Sequence, residues 1–237
     1  ELATMLGIKL NPPRVDPLIK SLYTQNNTLK MYRATKEYDV VVYLSDGSIP
    51  LLGGKKNIVH FQVPFHGVGG RKIGHQLKLK SIHHVVVNSQ FTKNIVDQEY
   101  NIKSTVLYPP VPPIKPGVKT NTILSVGRFD PSLNVKKQNI LIDAFRELTP
   151  QLPGWQLILA GASSNDEWIS VLKQQADNLP IRFATNISYA ELSQLYGSSR
   201  IYWHAAGFGV DEERNPELTE HFGISTVEAI SSGATPL

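Results

Sequence analysis

Short β-branched apolar runs alternate along this chain with longer polar segments of helical period. Asp39 to Leu44, Asn57 to Val63, His84 to Asn88 and Ser104 to Tyr108 are apolar at successive rather than alternate positions. Parallel strands buried on both faces read this way. Ser89 is placed to cap a helix with Phe91, Ile95 and Val96 as its periodic positions, so the last two runs frame a βαβ unit. Ahead of them stand a loop at Asn11-Pro12-Pro13 and a polar helix expected from about Asp16 to Lys36. Tyr108 to Gly117 then packs five prolines and a glycine into ten residues, which no helix or central strand tolerates, so it reads as a stiff linker.

Past the linker the alternation restarts. Strands are expected at Thr122 to Val126, Gln156 to Ala160, Ile181 to Ala184 and Arg200 to His204. Helices are expected at Lys136 to Leu148, around Asp166 to Asn178, and from the capping box Ser188-Tyr189-Ala190-Glu191 to Tyr196. A polar loop, Gly207 to Thr219, leads to a last helix beginning near Gly223. The pattern predicts an α/β protein of two Rossmann-like domains facing across a cleft. Residues 1–108 form an incomplete N-terminal domain, 109–118 the proline-rich linker, and 119–237 an incomplete C-terminal domain. The chain starts at Glu1 and stops at Thr235-Pro236-Leu237, the entry to a strand, so both ends read as truncations.

Composition narrows this picture. With 41% apolar and 19% charged residues the chain can bury a core, and without cysteine it has no disulfide, thiolate nucleophile or zinc–thiolate site. No stretch approaches a membrane span, and no basic, apolar leader opens the chain. The net charge is only +4, but its distribution is uneven: Gly47 to Val96 has no acid, seven Lys/Arg and five of the seven histidines. That face either meets anionic partners such as lipid phosphates or is a solvated basic surface. Its cations are not interleaved with aromatics and no recognition-helix or zinc-finger pattern is present, so no nucleic-acid partner is expected.

Candidate chemistry concentrates at the ends of the C-terminal strands. Glu220 and Glu228, eight positions apart, bracket Gly223 and the start of the last helix, so one acid precedes the helix and the other lies within it. The helix start, with backbone N–H groups expected free from Gly223 to Thr226, could cradle phosphate, while carboxylates on either side would accept from sugar hydroxyls. The plainer reading makes both acids dipole-favoured residues around an ordinary helix start. Gly127-Arg128 at a strand end, with Lys136-Lys137 at the mouth of the next helix, brings cations towards a phosphate site, unless Arg128 pairs with Asp130. No Asp-any-Asp motif and no helical histidine pair offers a metal site. The dinucleotide fingerprint is also absent, since His66-Gly67-Val68-Gly69-Gly70 is followed by Arg71-Lys72 rather than by an acid further on.

Taken together, Gly127-Arg128, Lys136, Gly161 and the Glu, seven residues, Glu motif from Glu220 to Glu228 resemble the retaining glycosyltransferases of family 4, which have the GT-B fold. The likeness extends back through Val85-Val86-Val87-Asn88-Ser89 with Phe91, and Val106-Leu107-Tyr108-Pro109-Pro110-Val111. The loop from His204 to Glu220 most resembles that of mannosyltransferases extending lipid-linked oligosaccharides. The chain departs from the family in lacking its glycine-rich opening strand and its last strands.

The resemblance implies a metal-independent enzyme that moves a hexose, with retention, from a nucleoside-diphosphate sugar to a glycan or lipid-linked acceptor. The nucleotide-sugar is a substrate, so no cofactor is implied. Arg128 and Lys136 would hold the diphosphate beside the backbone of Gly223, Ile224 and Ser225, and Glu228 would take the ribose. Glu220 would contact the transferred sugar, and Gly161 and Lys137 would border the donor pocket. Lys136 is preferred to Lys137 by register. His60 matches a position that lines the family's reaction centre, although a lone strand histidine is also an ordinary core residue. The expected location is cytoplasmic, with the basic N-terminal domain peripheral at the cytoplasmic face of a membrane. The alternative is a sugar-nucleotide-binding module or an inactive fragment of such an enzyme.

Overall fold

A computed structural model describes residues 27–130 and 136–237. The chain divides into two compact units, Glu1–Pro110 with Glu213–Glu217, and Val111–Glu212 with Leu218–Leu237. The expected loop at residues 11–13 and the first part of the expected helix over 16–36 lie outside the described residues. In the remainder of that span, helix α1 (Thr28–Thr35) begins at Asn27, whose side chain accepts from the Lys30 N–H.

The first unit holds a wholly parallel sheet in the order β1 (Val40–Ser45), β2 (Lys56–Phe61), β3 (His84–Val87), β4 (Thr105–Val106). One face of it closes over Val59, Phe61 and Val87 with Ile49, Val96 and Tyr100. Helix α3 (Gln90–Tyr100) supplies two of these, and Ser89 caps it by accepting from the Thr92 N–H at 3.1 Å. The Tyr100 ring packs 5.0 Å from Phe61, and its hydroxyl donates to the Gly47 carbonyl. Two expectations change here. The strand expected to run to Tyr108 is two residues long, although the Leu107 N–H still donates to Val87 O at 2.8 Å; Pro109 and Pro110 have no N–H to extend it. And β1 is not buried on both faces: Val40, Val42 and Leu44 are exposed. A short helix, α2 (Ile73–Leu79), has no counterpart in the hydrophobic pattern and buries none of its residues.

The second unit is a five-stranded parallel sheet in the order β7 (Ile181–Thr185), β6 (Gln156–Gly161), β5 (Thr120–Val126), β8 (Ser199–Tyr202), β9 (Thr235–Pro236). From the central β5 the chain builds outward through β6 and β7, then returns to build β8 and β9 on the other side. Helices α4 (Gln138–Leu148) and α5 (Asp166–Gln175) cover one face through Leu141, Ile142, Phe145, Ile169 and Leu172. Helices α6 (Tyr189–Ser198) and α7 (Ile224–Ser231) cover the other through Tyr196 and Ala229. Reversal of strand order between β5 and β8 leaves a crevice at their carboxyl ends, the place where open α/β sheets take ligands.

Boundaries shift by one to three residues for identifiable reasons. Lys137, with φ 51°, is the left-handed cap of α4 rather than part of it, and Asn178, with φ 61°, lies beyond α5. The capping box of α6 forms as expected: Ser188 accepts from the Glu191 N–H while Glu191 accepts from the Ser188 N–H. Replacing Ser188 by Ala should cost about 1 kcal/mol of stability in a denaturant titration, since the helix loses a side-chain acceptor for its first amides.

Candidate functional site

The crevice is built from glycines that allow backbones to touch. Beyond β5 the chain keeps pairing with the end of β6: Gly127 N–H donates to Ala160 O and Phe129 N–H to Ala162 O, both at 2.9 Å. A Cβ on Gly161 would stand 2.0 Å from the Gly127 carbonyl oxygen, so this position takes glycine for close approach. Gly161 therefore borders the candidate pocket by seating the Gly127-Arg128 turn. A Cβ on Gly127 would lie 2.6 Å from Lys136 Cγ, so the lysine stem crosses directly over that turn. Buried Gln138 clamps it from the α4 side, donating to Arg128 O at 3.0 Å.

Arg128 is exposed and has no side-chain hydrogen bond or ion pair among the described residues, so it is not spent on Asp130. With Phe129, Asp130 and the loop Ala162 to Asn165 it lines a pocket of about 440 Å³. Lys136 reaches across the crevice to Glu220, its ammonium 2.6 Å from Oε2. Of the two lysines, Lys136 is the one bonded to Glu220, whereas Lys137 caps α4 through its backbone conformation.

The other oxygen of Glu220 accepts from the Gly223 N–H at 3.1 Å. This corrects the expectation of free amides from Gly223 to Thr226. Gly223 is occupied by the protein's own carboxylate, and Thr226 N–H donates to Gly223 O at 3.0 Å. The amides of Ile224 and Ser225 remain without a partner among the described residues, so the cradle is two amides wide. Gly223 itself has φ 80°, a left-handed conformation that turns the chain into α7.

His204 is a member of this cluster that spacing in the sequence did not single out. It lies two residues past the end of β8, its ring stacks on Tyr202 at 6.3 Å between centroids, and its buried Nε2 lies 3.3 Å from Glu220 Oε2. That approach is not aligned as a hydrogen bond, and Nε2 has no other hydrogen-bond partner among the described residues. Its position just past the carboxyl end of a central strand was the available signal. Tyr202 in turn donates its hydroxyl to Ser225 Oγ at 2.7 Å, and burial pushes its own pKa up to about 12.

The two glutamates differ electrostatically. Burial pushes the Glu220 carboxyl up, but His204 and the Lys136 ammonium outweigh it and hold the group well below the usual carboxylate range. Burial pushes Glu228 up, only partly offset by the Tyr196 side chain; it is 9% exposed. Tyr196 Oη closes no hydrogen bond of good geometry, so Tyr196 is an electrostatic neighbour of Glu228 rather than a bonded one. Because the folded pKa of Glu220 is depressed, its contribution to stability is present above the unfolded value of about 4.3 and is lost as pH falls through the folded one. The difference in melting temperature between the wild type and Glu220→Gln should therefore be largest near neutrality and shrink as pH is lowered from 5 towards 3.

His60 belongs to the first unit, on β2. Its Nε2 is buried without a hydrogen-bond partner, and burial lowers its pKa. Among the described residues, no group of three or more His, Asp or Glu side chains is arranged to hold a metal ion, and no helix is long and apolar enough to cross a membrane.

Solved structures share this fold. TarM superimposes with a TM-score of 0.60 at 12% identity, over 88% of this chain and 43% of its own. OtsA gives 0.59 at 11% identity, over 92% and 62%. A Staphylococcus aureus TarM variant, crystallised with fondaparinux, alpha-GlcNAc-glycerol and UDP, gives 0.53 at 12% identity, over 76% and 36%. The chain thus spans between about a third and two thirds of the length of these structures, and at these identities the likeness is one of fold. That fold is GT-B, the two-domain Rossmann-like architecture of glycosyltransferases. A family model described as Glycosyl transferases group 1 matches residues 113–237, more than half the chain, and the chain belongs to that family. No curated protein matches it by sequence.

Proposed function

We propose that the chain carries the donor site of a retaining glycosyltransferase of family 4, which transfers a hexose from a nucleoside-diphosphate sugar to a glycan or lipid-linked acceptor without a resident metal. The observation that carries this reading is the meeting of Lys136, Glu220 and the start of α7 at the switch point of the second sheet. A leaving diphosphate needs compensating charge. A unit charge at about 4 Å is worth roughly 4 kcal/mol at an effective dielectric of 20. A helix end contributes about 0.3 to 2 kcal/mol. Lys136 and Arg128 are therefore the main anchors, with the Ile224 and Ser225 amides secondary.

In this reading Glu220, held by Lys136 and the Gly223 amide with His204 beside it, accepts from a hydroxyl of the transferred sugar, and Glu228 takes the ribose hydroxyls. The bond from the anomeric carbon to the diphosphate oxygen breaks as that oxygen is stabilised by Lys136 and Arg128. The acceptor oxygen bonds to the same face, and its proton passes to the departing phosphate. Mannose on a lipid-linked oligosaccharide is the donor and acceptor pair favoured by the loop from His204 to Glu220. The UDP held by the TarM variant supports a nucleoside diphosphate as the leaving group. The basic half of the first unit would then lie towards the lipid at the cytoplasmic face of a membrane.

The test is a donor screen on the full-length gene product, reading nucleoside diphosphate released and the anomeric configuration of the product by NMR. Release with retention is expected. Donor binding by calorimetry without release would mark a sugar-nucleotide-binding module instead, and neither binding nor release would overturn the proposal.

A further inference from the structure

The helix that no apolar period announced, α2, presents an unusual outer surface. It buries none of its residues, and Ile73 and Leu77, one turn apart, are 79% and 57% exposed. Lys80 continues the same exposed stripe one turn further, and Lys72 precedes it at the helix start, also exposed.

Such a helix would ordinarily fray, yet its inner side is fastened by polar bonds. Gln76 donates to Gly70 O at 2.9 Å and to Tyr100 O at 2.7 Å. His75 Nδ1 lies 2.9 Å from Gly69 O. The loop before the helix is tied down too: Glu99 accepts from the Gly67 and Gly70 amides, and Arg71 donates twice to Gln98 O. Leu79 packs against the core of the first unit. The outward stripe is thus held rigid by residues that do not belong to it.

The geometry points to α2 as the element that seats the first unit on an anionic lipid surface, with Ile73 and Leu77 entering the headgroup region and Lys72 and Lys80 resting on lipid phosphates. Two large apolar side chains held out into solvent gain nothing there, whereas a bilayer interface buries them. Charge selects the kind of surface: from Gly47 to Val96 there are seven Lys/Arg and no acid, although Lys55 and Lys93 are paired with Asp39 and Asp97, and Glu99, the acid beside the loop, is engaged by the Gly67 and Gly70 amides. Of the cations near the helix, Arg71 is committed to Gln98 and Lys78 is half-buried, lining a small pocket with Asn27, Tyr43 and Ser48. Lys80 and Lys72, the latter with its stem lying over Gly69, are therefore the exposed cations beside the stripe. This inference deepens the membrane-side reading of the basic half and is independent of whether the second unit transfers sugar.

Flotation of the full-length protein with vesicles tests it, using phosphatidylcholine containing one third phosphatidylglycerol against pure phosphatidylcholine. Binding to the anionic vesicles only, weakened by salt, is expected. Lys72→Glu with Lys80→Glu should lower it about fivefold or more per site, and Ile73→Asp with Leu77→Asp should lower it at least as much. An Ile73→Trp variant should shift its emission to the blue on anionic vesicles, because the indole leaves water. Both pairs are exposed, so circular dichroism and donor binding should stay as in the wild type. Absence of binding to anionic vesicles overturns the inference. So does undiminished binding by the aspartate pair, which would leave only diffuse attraction, and so does binding to duplex DNA but not to vesicles.

Discussion

Alanine at Arg128 or at Lys136 should reduce donor-dependent turnover by about two to three orders of magnitude each, the scale of removing one preorganised charge from a developing anion. The two variants should nevertheless behave differently as proteins. Arg128 is exposed and has no side-chain partner among the described residues, so Arg128→Ala should leave the melting temperature unchanged. Lys136 is bonded to Glu220 at 2.6 Å, and Glu220 is partly buried with His204 beside it. Lys136→Ala leaves that carboxylate short of its main partner and should lower stability as well as turnover. Lys136→Arg keeps the charge and should recover part of the stability. Turnover near that of the wild type in both alanine variants would remove these residues from the donor site.

Gly161→Ala should destabilise the second unit by about 1 to 3 kcal/mol and misplace Arg128 at the same time. The added methyl would meet the Gly127 carbonyl oxygen at 2.0 Å, backbone against backbone, with no flexible side chain to give way. The ends of β5 and β6 would have to separate, breaking the bonds from Gly127 to Ala160 and from Phe129 to Ala162. Gly74→Ala is the informative control. It lies in α2 with nothing within 4 Å of its added Cβ, so it should stabilise by about 0.4 to 1 kcal/mol. Denaturant titrations of the two variants should move in opposite directions; a neutral Gly161→Ala would mean that the seam between β5 and β6 tolerates opening.

Much of this architecture was legible because it rests on local rules. Buried parallel strands such as β6 are continuous apolar runs, and Ser89 and Ser188 mark helix starts through their own side chains. Glu220, Arg128 and Lys136 could be proposed because each flanks a strand or helix end, and Glu228 because its spacing from Glu220 puts it inside the helix that follows. What escaped notice depends on contacts distant in sequence. The ion pair joins positions 84 residues apart, and His204 gains meaning only from Glu220 arriving beside it. Gln138 reads as an ordinary first-turn residue until its side chain is seen holding the Arg128 carbonyl. Helix α2 was invisible because it is fastened by bonds to backbone carbonyls instead of an apolar stripe turned inward. The exposed face of β1 was misread because an apolar run does not say whether both of its sides are covered.

Glu220 has one oxygen on a helix amide and the other on an ammonium. A free glutamate would lose about 1.5 to 2 kcal/mol of rotamer entropy on being fixed by a ligand. Here that freedom is lost on folding, so a sugar bound as proposed would meet a carboxylate already pointed in one direction. Such an acceptor cannot swing to follow a hydroxyl displaced to the other face of the ring. On the proposed donor site, discrimination between epimeric sugars would then be set by the stiffness of the carboxylate as much as by the shape of the pocket around it.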